Sequence, residues 1–303
     1  MSRYLITGGA GFIGSHLADL LTNNGHKVKV LDDLSTGDLS NISHNKEIEF
    51  TQGSILNLDT LKDVCKGIDG IFHLAAVASV QKSIDMWHYC HQVNLTGTVN
   101  IFLQAAIQNI PVVYASSAAV YGPPNELPLS ETSLLQPFSP YAVDKYACEL
   151  QAKVFGSLKG LKSFGLRFFN VYGSRQNRNS DYSGVISIFK QLALENKELT
   201  IFGDGNQSRD FIHVSDVVEA LYLAINAASK EAQVTNICTG NSYTINELTK
   251  IITKVLNVKG VKYLPAQAGS IKESQGSPLL AKKLLKFEAK RGFEEALSEF
   301  LLE

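Results

Sequence analysis

Short apolar blocks alternate with longer runs of apolar residues spaced three and four apart through the first half of the chain. Tyr4-Leu5-Ile6-Thr7 has the pattern of a buried strand, and Leu17, Leu20 and Leu21 place a helix close behind it. Lys27 to Leu31 and Ile48 to Phe50 predict two more strands, and Leu58 to Cys65 a short helix. Gly70 to Leu74 is a further strand that opens into the small residues Ala75, Ala76, Val77 and Ala78. A long helix over about 86–109, a strand over 111–115 and a helix over about 140–155 follow. This alternation predicts an α/β fold built on a doubly wound parallel sheet. Ligands of such sheets lie beyond the carboxyl ends of the strands, where Ser54, Ala75-Ala76 and Ser116-Ser117 fall.

From about residue 168 the texture changes. Asn177 to Ser183 is a polar stretch, followed by a helix over about 184–195, a strand over Leu199 to Phe202 and a turn at Gly203 to Asn206. Gln207 to Val214 predicts one strand, with Ser215 as the cap of a helix over 216–228. A strand at Val234 to Ile237 and helices near 244–256, 279–286 and 292–302 complete the chain. The expected division is a main domain over residues 1–167 and a smaller α/β lobe over 168–303, with parts of 205–238 returning to the main sheet.

A chain of 303 residues with 45% hydrophobic content supports a large core. Its net charge of -1 gives no pull toward nucleic acid or an anionic membrane. Cys65, Cys90, Cys148 and Cys238 are scattered, without metal-binding or disulfide spacing, which fits reduced thiols in the cytoplasm. No apolar run is long enough to span a bilayer, and the first strand leaves no room for a leader. His88 and His91, beside Trp87 and Cys90, lack a metal geometry, and no metal site is expected.

Two stretches carry chemistry. Gly8-Gly9-Ala10-Gly11-Phe12-Ile13-Gly14 sits between strand and helix, as a dinucleotide-binding turn must. Gly8 allows the tight turn, Gly11 the approach of a pyrophosphate and Gly14 close packing of helix on strand, while the helix start offers N–H donors. Asp32-Asp33, at the end of the second strand, falls where an acid meets the adenine ribose diol and repels a 2′-phosphate, favouring NAD over NADP. In Ser139-Pro140-Tyr141-Ala142-Val143-Asp144-Lys145, Ser139 suits the cap and Pro140 the first helical position. Tyr141 and Lys145 then lie one turn apart. An ammonium beside a phenol favours the phenolate, which makes a general base for a hydroxyl proton. His73, at a strand end, reads as a packed polar residue and not as that base.

Taken together, GGAGFIGSHL (8–17), DDLSTG (32–37), HLAA (73–76), SSAAVYG (116–122), SPYAVDK (139–145), RFFNVYG (167–173) and RDFIHVSD (209–216) resemble the extended short-chain dehydrogenase/reductases. Within that family the chain is similar to the NAD-dependent nucleotide-sugar epimerases and dehydratases, and most of all to UDP-glucose and UDP-N-acetylglucosamine 4-epimerases. The resemblance implies a Rossmann domain holding NAD through the glycine turn with Phe12 and Ile13, through Asp32, Asp33, Leu34, Ser35, Thr36 and Gly37, and through Ser54 and Ile55. Leu74, Ala75, Ala76, Ala115, Tyr141, Lys145 and Phe169 complete the implied cofactor set. It makes Tyr141 the base, Lys145 its electrostatic partner and Ser117 the hydroxyl bonded to the substrate oxygen. Ser117, Tyr141, Asn170, Val185, Phe202, Gln207, Arg209 and Ser274 are implied to hold a UDP-sugar, with Asn170 and Arg209 at its diphosphate. A homodimer is implied, paired through the helices at about 86–109 and 140–155 as a four-helix bundle.

Similar dehydratases and decarboxylases carry acidic residues directly after the active-site hydroxyl, whereas this chain has Ala118 and Ala119, which move no proton. Hydride out and hydride back remain, which is 4-epimerisation. A keto-reductase that consumes cofactor and a non-catalytic NAD-binding protein are the competing readings. Ser54, Gln267, Ser270 and Cys238 depart from the family pattern, and Arg175, Arg178 or Lys272 are the cations available to compensate at the phosphates. Ser274 takes the place of a gate residue facing the sugar's carbon-2 substituent, where a small side chain admits an N-acetyl group.

Overall fold

The computed structural model describes residues 1–176, 184–266 and 271–303. Arg178, Gln267 and Ser270, and the polar stretch 177–183, lie outside the described residues. The first half runs β1 (Arg3–Thr7), α1 (Phe12–Asn23), β2 (Lys27–Asp32), β3 (Ile48–Gln52), α2 (Leu58–Val64), β4 (Gly70–His73), α3 (Val80–Asp85), α4 (Trp87–His91), α5 (Gly97–Gln108), β5 (Val112–Ser117), α6 (Pro140–Lys159) and β6 (Ser163–Phe168). The second half runs β7 (Asn170–Tyr172), α7 (Val185–Leu194), β8 (Leu199–Phe202), β9 (Ser208–Arg209), β10 (Phe211–His213), α8 (Val214–Ala227), β11 (Gln233–Ile237), β12 (Tyr243–Thr244), α9 (Ile245–Val255), β13 (Val261–Leu264), α10 (Leu279–Leu285) and α11 (Phe293–Leu302).

Seven strands form one sheet in the order β11-β6-β5-β4-β1-β2-β3, and every pairing in it is parallel. The order reverses at β1, so the carboxyl ends of β1 and β4 open a crevice, the usual ligand position in this fold. Val, Ile and Leu fill both faces of the sheet. On one face α1 and α8 bury Leu17, Leu21, Val217 and Leu221, and on the other α2, α5 and α6 bury Leu61, Ile101, Phe102 and Ala152. A separate core of Phe189, Ile201, Phe211, Leu248, Phe293 and Phe300 holds the lobe together.

Several elements differ from the pattern read along the chain. The helix expected over 86–109 is two α-helices joined by a π-helical turn at Gln92–Thr96. Buried Asn94 explains it: its side chain accepts from Val77 N at 2.8 Å and donates to Val77 O at 3.2 Å, so the turn is shaped around a loop. The single strand expected over 207–214 is two, β9 paired with β12 and β10 paired with β7. Ser215 is not the cap of α8; His213 holds that position and accepts from Ser215 N. Strands β6 and β7, on either side of residue 169, and the short elements α3, β12 and β13 have no counterpart in the sequence reading. Among the described residues no helix is long and apolar enough to cross a membrane, and no cluster of His, Cys, Asp and Glu could hold a metal ion.

Candidate active site

The crevice is a cavity of about 1490 Å³. Its floor is the turn after β1. Gly8 adopts φ +73°, and a side chain there would meet Ala75 N at 2.7 Å. A methyl at Gly14 would lie 2.2 Å from Gly8 O, so α1 can pack on the turn only without one. Gly11 caps α1 with no side chain bonded across its first turn, which leaves the helix N–H groups facing the cavity for an anion. These features fit a dinucleotide pyrophosphate.

Next to the turn, Asp32 is buried and accepts from Ala10 N at 3.0 Å and Leu34 N at 2.8 Å. Burial raises its pKa, opposed by those amide bonds. Asp33 is exposed and accepts from Ser35 N at 2.9 Å. Asp32 is therefore the acid built into the wall, while Asp33 shapes the loop. Ser54 Oγ accepts from Leu56 N at 3.2 Å, and Ile55 is fixed against Gly97, where any side chain would strike it. All of the expected cofactor residues line this one cavity, from Gly8 through Phe12, Ile13, Asp32 to Gly37, Ser54, Ile55 and Leu74 to Ala76, on to Ala115 and Phe169.

At the other side of the site, Ser139 accepts from Ala142 N at 3.2 Å and Pro140 opens α6. Tyr141 N donates to Ser83 Oγ at 3.2 Å, a bond that ties the start of α6 to α3. Lys145 Nζ lies 5.8 Å from the centroid of the Tyr141 ring and donates to Ala115 O at 2.8 Å. Ser117 ends β5, and its Oγ accepts from Ala119 N at 3.1 Å. Ser117, Tyr141 and Lys145 thus all face the cavity that the glycine turn closes.

Behind these groups lies a network that sequence reading missed. Glu149, one turn beyond Lys145, receives both Arg167 Nε at 2.9 Å and Nη2 at 2.7 Å. It also accepts from Ser116 Oγ at 2.6 Å. Arg167 Nη1 donates to Tyr121 Oη at 2.8 Å, and that hydroxyl donates to Asn236 at 2.6 Å. One carboxylate therefore ties α6, which carries Tyr141, to β5, which carries Ser117, and to β6, which leads into Phe169. The signal available was the spacing of Lys145 and Glu149 on one helix face.

His73 is buried between two threonines, with Nδ1 2.7 Å from Thr7 Oγ1 and Nε2 2.9 Å from Thr98 Oγ1. Thr98 donates to Asn94 O, so Nε2 carries the ring proton and Nδ1 accepts from Thr7. Burial, aided by the charge of Lys145, lowers its pKa to about 3. It is a structural residue beneath the site.

The remaining expected substrate residues form a second group outside this cavity wall. Gln207 Nε2 donates to Phe202 O at 2.8 Å. Ser208 N donates to Lys272 O at 2.8 Å and its carbonyl accepts from Ser274 N at 3.1 Å, which sets Ser274 beside Arg209. Arg209 Nη1 donates to Ser208 O at 2.7 Å. It has no carboxylate partner among the described residues, and burial lowers its pKa. Asn170 Nδ2 donates to Asp210 O at 3.1 Å, next to Phe169 on the cavity wall. Val185 begins α7, next to Gly184, which does line the cavity. Asp210, the residue after Arg209, is turned inward and accepts from Thr239 N and Oγ1, Gly240 N and Gly276 N. Sequence reading gave it no role, because the groups that donate to it lie 29 to 66 residues away. Lys82 and Gln176 are further cavity residues that the sequence reading did not single out.

This architecture, a seven-stranded parallel sheet with a glycine turn and a Ser/Tyr/Lys set on one cavity, is that of a dinucleotide-binding Rossmann fold. Residues 4–238 match the NAD dependent epimerase/dehydratase family, and the chain belongs to it. It is 34% identical over 304 residues to the UDP-glucose 4-epimerase of Mycolicibacterium smegmatis, covering 98% of this chain and 96% of that one. The structure superimposes with a TM-score of 0.93 and 37% identity on the UDP-N-acetylglucosamine 4-epimerase of Methanobrevibacter ruminantium M1 in complex with UDP-N-acetylmuramic acid, covering 99% and 97% of the two chains. The UDP-N-acetyl-alpha-D-glucosaminuronate decarboxylase of Bacillus cytotoxicus is 32% identical over 317 residues, covering 98% of this chain and 96% of its own. The protein is an NAD-dependent member of this family with the fold of its UDP-sugar 4-epimerases.

Proposed function

We propose that the chain is a UDP-sugar 4-epimerase acting on UDP-GlcNAc and UDP-GalNAc, with UDP-Glc and UDP-Gal as further substrates. The observation that carries this reading is the cavity wall beyond Ser117, where the chain presents Ala119 in place of an acid. Decarboxylation and dehydration are disfavoured by the resemblance, since similar enzymes use acidic residues there. Tyr141 takes the proton of the sugar's 4-hydroxyl, Lys145 supplies positive charge beside it, and Ser117 donates to the same oxygen. NAD, when bound, supplies the acceptor and then the donor of the carbon-4 hydride. Tyr141 returns the proton once the 4-keto sugar has presented its other face.

In this reading residues 1–167, with parts of 205–238, serve the cofactor, and 168–303 serve the nucleotide sugar. Asn170, Val185, Phe202, Gln207, Arg209 and Ser274 hold the UDP-sugar, and the guanidinium of Arg209, with no carboxylate partner among the described residues, suits a diphosphate. The four cysteines are buried free thiols, in keeping with a cytoplasmic enzyme. The exposed apolar faces of α5 and α6 support a homodimer.

Incubation with a panel of UDP-sugars without added cofactor, followed by chromatographic separation of epimers, tests the reaction. Turnover that requires added NADH or NADPH identifies a reductase, and release of carbon dioxide from a UDP-sugar acid identifies a decarboxylase. Ser274→Tyr tests the substrate class. It is expected to cut N-acetylhexosamine turnover sharply while sparing plain hexoses, and equal loss on both would remove Ser274 as the gate.

A further inference from the structure

Beyond β7 the chain turns at Gly173, where φ is +146°, and then meets α1. Two contacts fasten it there. His16 Nε2 lies 3.0 Å from the Ser174 carbonyl, and the Arg175 guanidinium pairs with Asp19 at 2.7 Å. His16 and Asp19 are one turn apart and share a face of the helix whose first turn forms the floor of the NAD cavity. Arg175 and Gln176 line that same cavity.

Arg175 holds φ +62°, a left-handed conformation that a long side chain adopts only when its surroundings fix it. Its Nη1, the atom that faces Asp19, is buried and has no aligned hydrogen bond among the described residues. Gln176 is anchored from the lobe, accepting from Ser187 Oγ on α7 at 2.6 Å. The segment therefore bridges the cofactor helix and α7 while forming part of the cavity wall.

We propose that residues 173–176 form a clasp that fastens the lobe to the cofactor helix, closed by the Asp19–Arg175 pair, and that it retains NAD. Release of the dinucleotide then requires this segment to lift from α1. The inference depends on NAD alone and is independent of which sugar is turned over, so it stands or falls apart from the epimerase reading.

The experiment is the rate of NAD release from the purified holoenzyme, followed by an excess of a coupled enzyme that traps free NAD. Asp19→Ala and Arg175→Ala are each expected to speed release roughly three- to tenfold, the range of a partly buried ion pair. The double variant should release no faster than the quicker single, since both changes open one fastening. Added salt should speed release from the wild type more than from either variant. Unchanged release in both singles, or effects that multiply in the double, overturn the clasp. A silent Asp19→Ala beside a fast Arg175→Ala also overturns it and assigns Arg175 to the NAD phosphates directly. Should either single variant purify without NAD, the swapped pair Asp19→Arg/Arg175→Asp decides: a loaded protein supports the clasp and an empty one ends it.

Discussion

Tyr141 and His73 show how environment divides two titratable groups between chemistry and structure. Tyr141 opens onto the cavity with Lys145 beside it, whereas His73 is sealed between Thr7 and Thr98. Tyr141→Phe is expected to abolish epimerisation while NAD still co-purifies at about one per chain, because it removes only the proton acceptor. Ser117→Ala should lower the rate by about 10²–10⁴-fold, the usual range for a positioned acid–base contact. A Tyr141→Phe enzyme with wild-type turnover would disprove the assignment. For His73 the expectation is a pH effect on stability. An unfolded histidine titrates near ~6.5, while in the fold it titrates at about 3. Below the higher value the unfolded chain binds a proton that the folded chain refuses, so stability is lost as pH falls. The slope approaches ~1.4 kcal/mol per pH unit for this one group. His213, lowered to about 4 by burial, acts in the same direction. Urea unfolding between pH 7 and 5 should show this loss, and His73→Gln should reduce it; parallel slopes would show that His73 is not its source.

Glu149 turns three separately placed elements into one rigid seam. It receives Ser116 from β5 and Arg167 from β6 while standing on α6, which also carries Tyr141 and Lys145. Ser116→Ala deletes one neutral donor and leaves the buried ion pair whole. It is expected to lower kcat about tenfold with KM and NAD content little changed, as Ser117 loses its fixed position. Val64→Ala, a comparable destabilisation in the core away from this seam, should leave kcat as it was. Should both variants behave alike, the seam is only structural. The glycine turn is equally sensitive: Gly14→Ala should cost ~1–3 kcal/mol and weaken NAD retention, because its methyl would meet Gly8 O. Both seams bear on what the sequence reveals. The turn was legible, since each glycine answers a local backbone demand, and so was Tyr141 with Lys145, one helical turn apart. Asn94, Asp210 and Glu149 were not, because their partners lie 17 to 66 residues away. The same cause hid the division of residues 207–214 between two small sheets, since a run with no glycine or proline in it reads as one strand.

At the scale of the whole molecule, one surface remains apolar where a lone chain would be polar. Leu150, Val154 and Leu158 stand at one-turn spacing along α6, with exposures of 46%, 50% and 76%. Leu103 and Ile107 repeat that spacing on α5, which packs beside α6. Two such helices from each of two chains can bury these stripes against each other around a two-fold axis, which makes a self-complementary interface. The interior face of α6 is already committed to Cys148 and Ala152 in the core of the sheet, so among the described residues the outer stripe has no intramolecular cover. Tyr141 and Lys145 lie on this same helix, so the proposed dimer would brace the site from behind. Leu150→Glu/Val154→Glu puts two like charges on each side of the two-fold axis, where they are desolvated and repel. Light scattering is expected to give a dimer for the wild type and a monomer for this variant, with turnover falling alongside. A wild type that stays monomeric at micromolar concentration with full activity would leave the stripe without this role.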